Sequence, residues 1–160
     1  HLLEREKRAC GGQPDPKPKF EGHEYILGRQ LKPEARTDII ERLAEAGIVP
    51  TSMIDITDGL ASETLHLCKS SGCGARIYLD RLPIARQTHD MAEELHADPV
   101  VAALNGGQDY ELLFTVPLSK QQEIFALGID VIGHVTAAGT GAMLVTPDGS
   151  EIALKAPGWK

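Results

Sequence analysis

The chain has 160 residues, 42% hydrophobic but only 4% aromatic, enough for one core of ordinary size built on aliphatic side chains. Its formal charge of -7 sits entirely in the second part: residues 1–50 hold nine basic and nine acidic residues, residues 51–160 seven and fourteen. An acidic body repels a phosphate backbone and argues against nucleic acid as a partner, while small phosphate ligands stay compatible if metal ions lie between them and the carboxylates.

Taken in order, the chain opens on His1, and Leu2-Leu-Glu-Arg-Glu-Lys-Arg8 reads as the middle of a charged amphipathic helix that Cys10-Gly-Gly12 ends. Prolines at 14, 16 and 18 forbid regular helix and predict an extended connector. The expectation is a piece of a longer protein. Residues 1–19 are then a helix and proline-rich connector from a preceding domain, and residues 20–160 one α/β domain. Tyr25-Ile-Leu27 suggests a short extended segment, and Gly28 to Pro33 a solvated basic loop carrying Arg29 and Lys32. Pro33 and Glu34 suit the first turn of a helix whose apolar stripe is Ile39, Ile40, Leu43 and Ala44, closed by Gly47.

Ser52-Met-Ile-Asp-Ile-Thr-Asp-Gly-Leu60 follows Pro50, a short apolar strand delivering Asp55, Thr57 and Asp58 to its C-terminal end. The helix after it, about residues 59–70, should bury Leu60, Thr64, Leu67 and Cys68. Ala75 to Leu82 alternates like a half-buried strand. Residues 86–95 and 99–105 read as helices split by Asp98-Pro99. Tyr110-Glu-Leu-Leu-Phe-Thr-Val116 is a strand, 119–127 a helix, and Asp130–Val135 a strand. A hairpin closes the chain, with Ala142–Thr146 and Glu151–Leu154 around Pro147-Asp-Gly-Ser150. This order predicts α/β (α+β) architecture, a mixed sheet flanked by helices.

No apolar run approaches membrane-span length and no secretory signal opens the chain. Cys10, Cys68 and Cys73 lack zinc-type spacing, so reduced structural thiols in a cytoplasmic protein are expected. The sequence contains no P-loop, no G-x-G-x-x-G, no G-x-S-x-G, no H-E-x-x-H and no C-x-x-C. Two stretches are left to carry chemistry. Asp55-Ile-Thr-Asp58 offers two carboxylates and a hydroxyl, oxygen donors suited to magnesium, yet the same residues serve as turn and N-cap formers. Asn105-Gly-Gly-Gln-Asp-Tyr-Glu111 offers paired glycines that let a backbone approach a ligand, or that simply end a helix.

Together the two stretches resemble one family. Residues 52–60 resemble the S-M-I-D-[IV]-S-D-G-L signature of thiamine-monophosphate kinases, and Gly106-Gly-Gln-Asp-Tyr-Glu-Leu-Leu-Phe-Thr115 resembles that family's G-G-E-D-Y-E-L-L-F-T. Ser71–Ala75, Ile132-Gly-His134 and Gly158-Trp159 also match in place. The resemblance implies the C-terminal domain of a two-domain enzyme of the aminoimidazole ribonucleotide synthetase superfamily. Such an enzyme dimerises through its N-terminal domain and transfers the γ-phosphoryl group of ATP to thiamine monophosphate with Mg2+. It further implies Asp55 and Asp58 as magnesium ligands, Thr57 as an ATP contact, and Gln108 and Trp159 as substrate contacts. Gln108 departs from the family's glutamate, keeping an acceptor oxygen but losing the charge. Glu111 is expected to serve the fold. The alternatives are another synthetase of the superfamily or a non-catalytic binding module.

Overall fold

The computed structural model describes residues 21–156, so the amino-terminal helix, the proline-rich connector, Cys10 and Trp159 lie outside the described residues. The first elements are helices α1 (Glu24–Leu31) and α2 (Thr37–Glu45). They correct two expectations. Tyr25-Ile-Leu27, read as extended, is helical, because α1 packs along a later helix and tertiary contact overrides weak local propensity. Pro33 and Glu34 precede α2 rather than form its first turn. The carboxyl end of α2 is as expected: the Gly47 N–H reaches the Ala44 carbonyl and the Ile48 N–H reaches that of Leu43, the paired bonds of a Schellman stop.

Next come β1 (Ser52–Asp55), α3 (Leu60–Ser71) and β2 (Gly74–Tyr78), then α4 (Arg86–Glu94) and α5 (Pro99–Asn105). The strand expected to run to Leu82 stops at Tyr78, where Leu79–Arg81 turns as a 3-10 helix. The α5 start follows its sequence signal: Asp98 Oδ1 accepts the Val100 N–H at 2.8 Å, and Pro99 occupies the first turn. The remaining elements are β3 (Leu112–Thr115), α6 (Gln121–Ala126), β4 (Gly133–Thr136), β5 (Ala142–Val145) and β6 (Glu151–Ala153).

The strands form two sheets. β4-β2-β5-β6 is mixed, with β2 and β5 parallel and both outer pairs antiparallel. β1 and β3 form a separate antiparallel ribbon, pairing Ser52 with Thr115 through Asp55 with Leu112. Alternation along β2 buries Ala75 and Ile77, which join Leu60, Ala61 and Cys68 of α3 and Leu144 of β5 in the larger core. The ribbon faces both ways. Met53, Leu112 and Phe114 pack on a second core of Ile39, Leu43, Ile48 and Ile124, whereas Leu113 and Ile56 pack on the first. The period of two thus ties two cores together and fixes the end of β1 between them.

Cys68 is buried and Cys73 half-buried, both as free thiols, and burial pushes the Cys68 thiol up. No helix among the described residues is long and apolar enough to cross a membrane.

Candidate functional site

β1 ends at Asp55, and the next four residues turn the chain into α3. The side chains of Asp55, Thr57 and Asp58 are exposed, whereas Ile56 is buried and anchors the turn in the larger core. Gly59 has φ +109, and a Cβ there would lie 2.6 Å from the Leu104 carbonyl oxygen and 3.0 Å from the Asn105 Cα. The carboxyl end of α5 therefore sits directly over the glycine, and close approach as much as backbone angle demands it.

Gly106 to Glu111 runs back along the same turn. The Gln108 N–H donates to the Thr57 carbonyl at 2.6 Å, the Tyr110 N–H to the Ile56 carbonyl at 3.0 Å, and the Ile56 N–H to the Glu111 carbonyl at 2.8 Å. A Cβ on Gly107 would stand 2.7 Å from the Thr57 carbonyl oxygen, at φ +68. The two stretches singled out in the sequence are thus one structural unit, stitched backbone to backbone. Asp109 does not lie in an extended segment with Gln108: Gln108 and Tyr110 flank it in left-handed conformations, φ 58 and 53. Such non-glycine residues cost about 1–2 kcal/mol each and persist where surroundings over-determine them. The strand expected from Tyr110 accordingly begins only at Leu112.

A residue that the sequence reading passed over holds the acidic turn from beneath. Glu63, only 3% exposed, turns its Oε1 back to the Asp58 N–H at 2.8 Å, the Thr57 N–H at 3.3 Å and the Thr57 hydroxyl at 3.4 Å. Its signal was present: a carboxylate in the first turn of a helix, where unpaired backbone donors gather.

From the other side, α1 and the segment before α2 grip the glycine-rich loop. Arg29 donates to the Asp109 carbonyl at 2.7 Å and to Glu111 Oε1 at 2.6 Å, and Arg36 donates to Glu111 Oε2. Arg29, expected in a solvated loop, is a helix residue engaged in an ion pair, while Lys32 caps the same helix in an exposed position. Glu111 serves the fold, as expected. Arg36 is also bound by Asp38, whose hydrogen bond, ahead of the Glu111 charge, holds the guanidinium firmly protonated. The Gln30 amide bonds the Gln108 side chain. Burial first, then the Glu111 charge, pushes the Asp109 carboxyl up to about 6, with Arg29 acting in the opposite direction.

Magnesium uses oxygen donors, commonly one or two carboxylates completed by water and phosphate oxygens. Asp55 and Asp58 are donors of that class, and both are exposed. Among the described residues no group of three or more His, Cys, Asp and Glu side chains is placed to share an ion. The pair fits part of a site rather than a closed cage.

The family model described as AIR synthase related protein, C-terminal domain, matches residues 2–146. The chain belongs to that family. Within it, the chain is 32% identical over 135 residues to the thiamine-monophosphate kinase of Aquifex aeolicus and 38% identical over 146 residues to that of Escherichia coli K12. Those alignments take in 84% and 86% of this chain but 40% and 41% of the relatives, so the chain spans less than half their length. Among solved structures, the Aquifex enzyme complexed with AMPPCP and TMP superposes with TM-score 0.66 and 29% identity, covering 91% of this chain and 43% of that one. The hydrogenase maturation protein HypE in complex with ATP, at TM-score 0.63 and 16% identity, shares the fold of this AIR synthase-related domain over 76% of the chain.

Proposed function

We propose that this AIR synthase-related domain is the C-terminal part of an ATP-dependent kinase that converts thiamine monophosphate to thiamine diphosphate with Mg2+. One observation carries the reading: the acidic turn 55–58 and the glycine-rich loop 106–111 are joined at one end of β1 by three backbone hydrogen bonds. The motif that resembles the nucleotide–metal side of the kinases and the one that resembles their substrate side therefore meet in space. Relatives at 32–38% identity carry the name thiamine-monophosphate kinase, and one has been solved with AMPPCP and TMP.

In the proposed reaction a phosphate oxygen of thiamine monophosphate attacks the γ-phosphorus of ATP in line. The bond from that phosphorus to the bridging oxygen breaks, ADP leaves with the electron pair, and thiamine diphosphate remains. Two anions must be brought together, so positioning and charge neutralisation dominate over covalent catalysis. When bound, magnesium supplies positive charge to the phosphate oxygens. Asp55 and Asp58 would hold it, in the orientation set by β1 and by Glu63 beneath the turn. The Thr57 hydroxyl contacts the nucleotide, and Gln108 hydrogen-bonds the substrate. Trp159, outside the described residues, is assigned by its motif alone to a flat contact with the thiamine rings.

Two carboxylates are fewer than the phosphates of both substrates require. The remaining ligands are assigned to an N-terminal domain of the same protein, through which it dimerises, and the setting to the cytoplasm. The 160-residue chain alone is then expected to have no useful kinase activity. The deciding experiment incubates the full-length protein with ATP, Mg2+ and thiamine monophosphate and follows thiamine diphosphate by chromatography. A full-length protein that makes none, while transferring the γ-phosphoryl group of ATP to a different acceptor with release of ADP, would refute the substrate. Thiamine diphosphate formation by the 160-residue chain alone would refute the division of labour.

A further inference from the structure

The glycine-rich loop holds two non-glycine residues in left-handed conformations, and one face of it is stitched to the acidic turn. Its other face meets α1. Two consecutive residues of that helix take hold of three residues of the loop. Arg29 reaches the Asp109 carbonyl at 2.7 Å and the Glu111 carboxylate at 2.6 Å, and Gln30 binds the Gln108 side chain. Arg36 occupies the second Glu111 oxygen, so both carboxylate oxygens are taken by guanidinium groups. These contacts link positions about 80 apart in the chain, 78 for Gln30 with Gln108 and 82 for Arg29 with Glu111.

We propose that Arg29 and Gln30 are positioning residues for ligand recognition: α1 sets the backbone of the loop through Arg29 and the side chain of Gln108 through Gln30. The inference rests on the reading of Gln108 as a substrate contact. A glutamine side chain has three rotatable bonds, and an exposed one samples many rotamers, so a ligand must immobilise it on binding. Pairing with Gln30 does that beforehand. It occupies one polar group of the Gln108 amide and leaves the other for the ligand. Arg29 acts one level further out. Its bond to the Asp109 carbonyl lies between the two left-handed residues, so it restrains the backbone from which Gln108 projects. The bonds of both residues run to Gln108, Asp109 and Glu111 of the glycine-rich loop, so their effect is assigned to the substrate side of the site.

Two variants and two readouts test this. Gln30 is exposed on α1, and Gln30→Ala removes the amide from a helix that tolerates alanine well. Arg29→Ala removes the backbone restraint. In the 160-residue chain, hydrogen exchange at the Gln108 and Tyr110 amides should accelerate in Arg29→Ala by about tenfold, the size expected for a local opening. Amides paired between β1 and β3 should stay within about twofold of wild type, since they belong to a different opening unit. Uniform acceleration across the ribbon would make Arg29 a general scaffold residue and overturn the proposal, as would unchanged exchange at the loop. In the full-length kinase, Gln30→Ala should raise KM for thiamine monophosphate by about tenfold while KM for ATP and kcat stay put. Equal changes in both KM values, or a loss in kcat alone, would overturn the role of Gln30. A wild-type enzyme inactive toward thiamine monophosphate refutes the proposed substrate, and the exchange comparison then decides the positioning role without it.

Discussion

Glu63→Ala tests whether the acidic turn is held from below. One carboxylate oxygen of a 3% exposed side chain accepts the Asp58 N–H at 2.8 Å and two longer contacts from Thr57 at 3.3 and 3.4 Å. A hydrogen bond to a charged group contributes about 1.5–3 kcal/mol, and contacts near 3.4 Å add a few tenths each, so the variant should lose about 3 kcal/mol. For a domain of this size that loss corresponds to a fall in Tm of roughly 6–12 °C. Glu63→Gln keeps an acceptor oxygen at the same reach and should lose only about 1 kcal/mol. Urea unfolding of the three proteins, with m compared to confirm a common unfolded state, gives the differences. An alanine variant within about 0.5 kcal/mol of wild type, or a glutamine variant as unstable as alanine, would refute the account, because either would leave the bonds without energetic weight.

Three further outcomes follow from the same geometry. Gly107→Ala should destabilise by about 2 kcal/mol or more, since a Cβ there meets the Thr57 carbonyl at 2.7 Å at φ +68; Gly28→Ala, in mid-helix with open space around it, should instead gain about 0.5–1 kcal/mol by thermal melt. Asp109 is held protonated in the folded protein up to about pH 6 against 3.8 for an ordinary aspartate, so its contribution to stability is present below about pH 4 and lost as pH rises through 6. Asp109→Asn should therefore be the more stable protein at pH 8, by about 1 kcal/mol once screening of a partly exposed group is allowed for, and should lose that advantage at pH 4. Leu43→Ala, at a position 2% exposed in the second core, should cost about 2–5 kcal/mol in chemical denaturation; a smaller loss would mean that this core collapses around the cavity.

Local chemistry made much of the chain legible. The break between two helices at Asp98-Pro99, the alternation of Ala75 and Ile77, and the hairpin turn at 147–150 each depend on neighbours within a few residues, and each folds as read. The residue types of the acidic turn and glycine-rich loop marked two candidate stretches, each with a turn-forming alternative, and their joint resemblance to one family singled them out. Tertiary contact decided what those signals left open. Tyr25-Ile-Leu27 is helical because α1 docks on α4, an energy that local propensity does not contain. Gln108 and Tyr110 take left-handed backbones because hydrogen bonds to Thr57 and Ile56, some 50 residues away, over-determine them. Arg29 and Glu111 are ordinary charged residues at a separation of 82, and no spacing rule links them. The sequence by itself therefore determined which groups are available for chemistry, because that is a property of side chains. The tertiary structure alone decided that the two motifs form one structural unit, and that α1 and Glu63 hold it, because those contacts exist only once distant segments have paid the entropy of meeting.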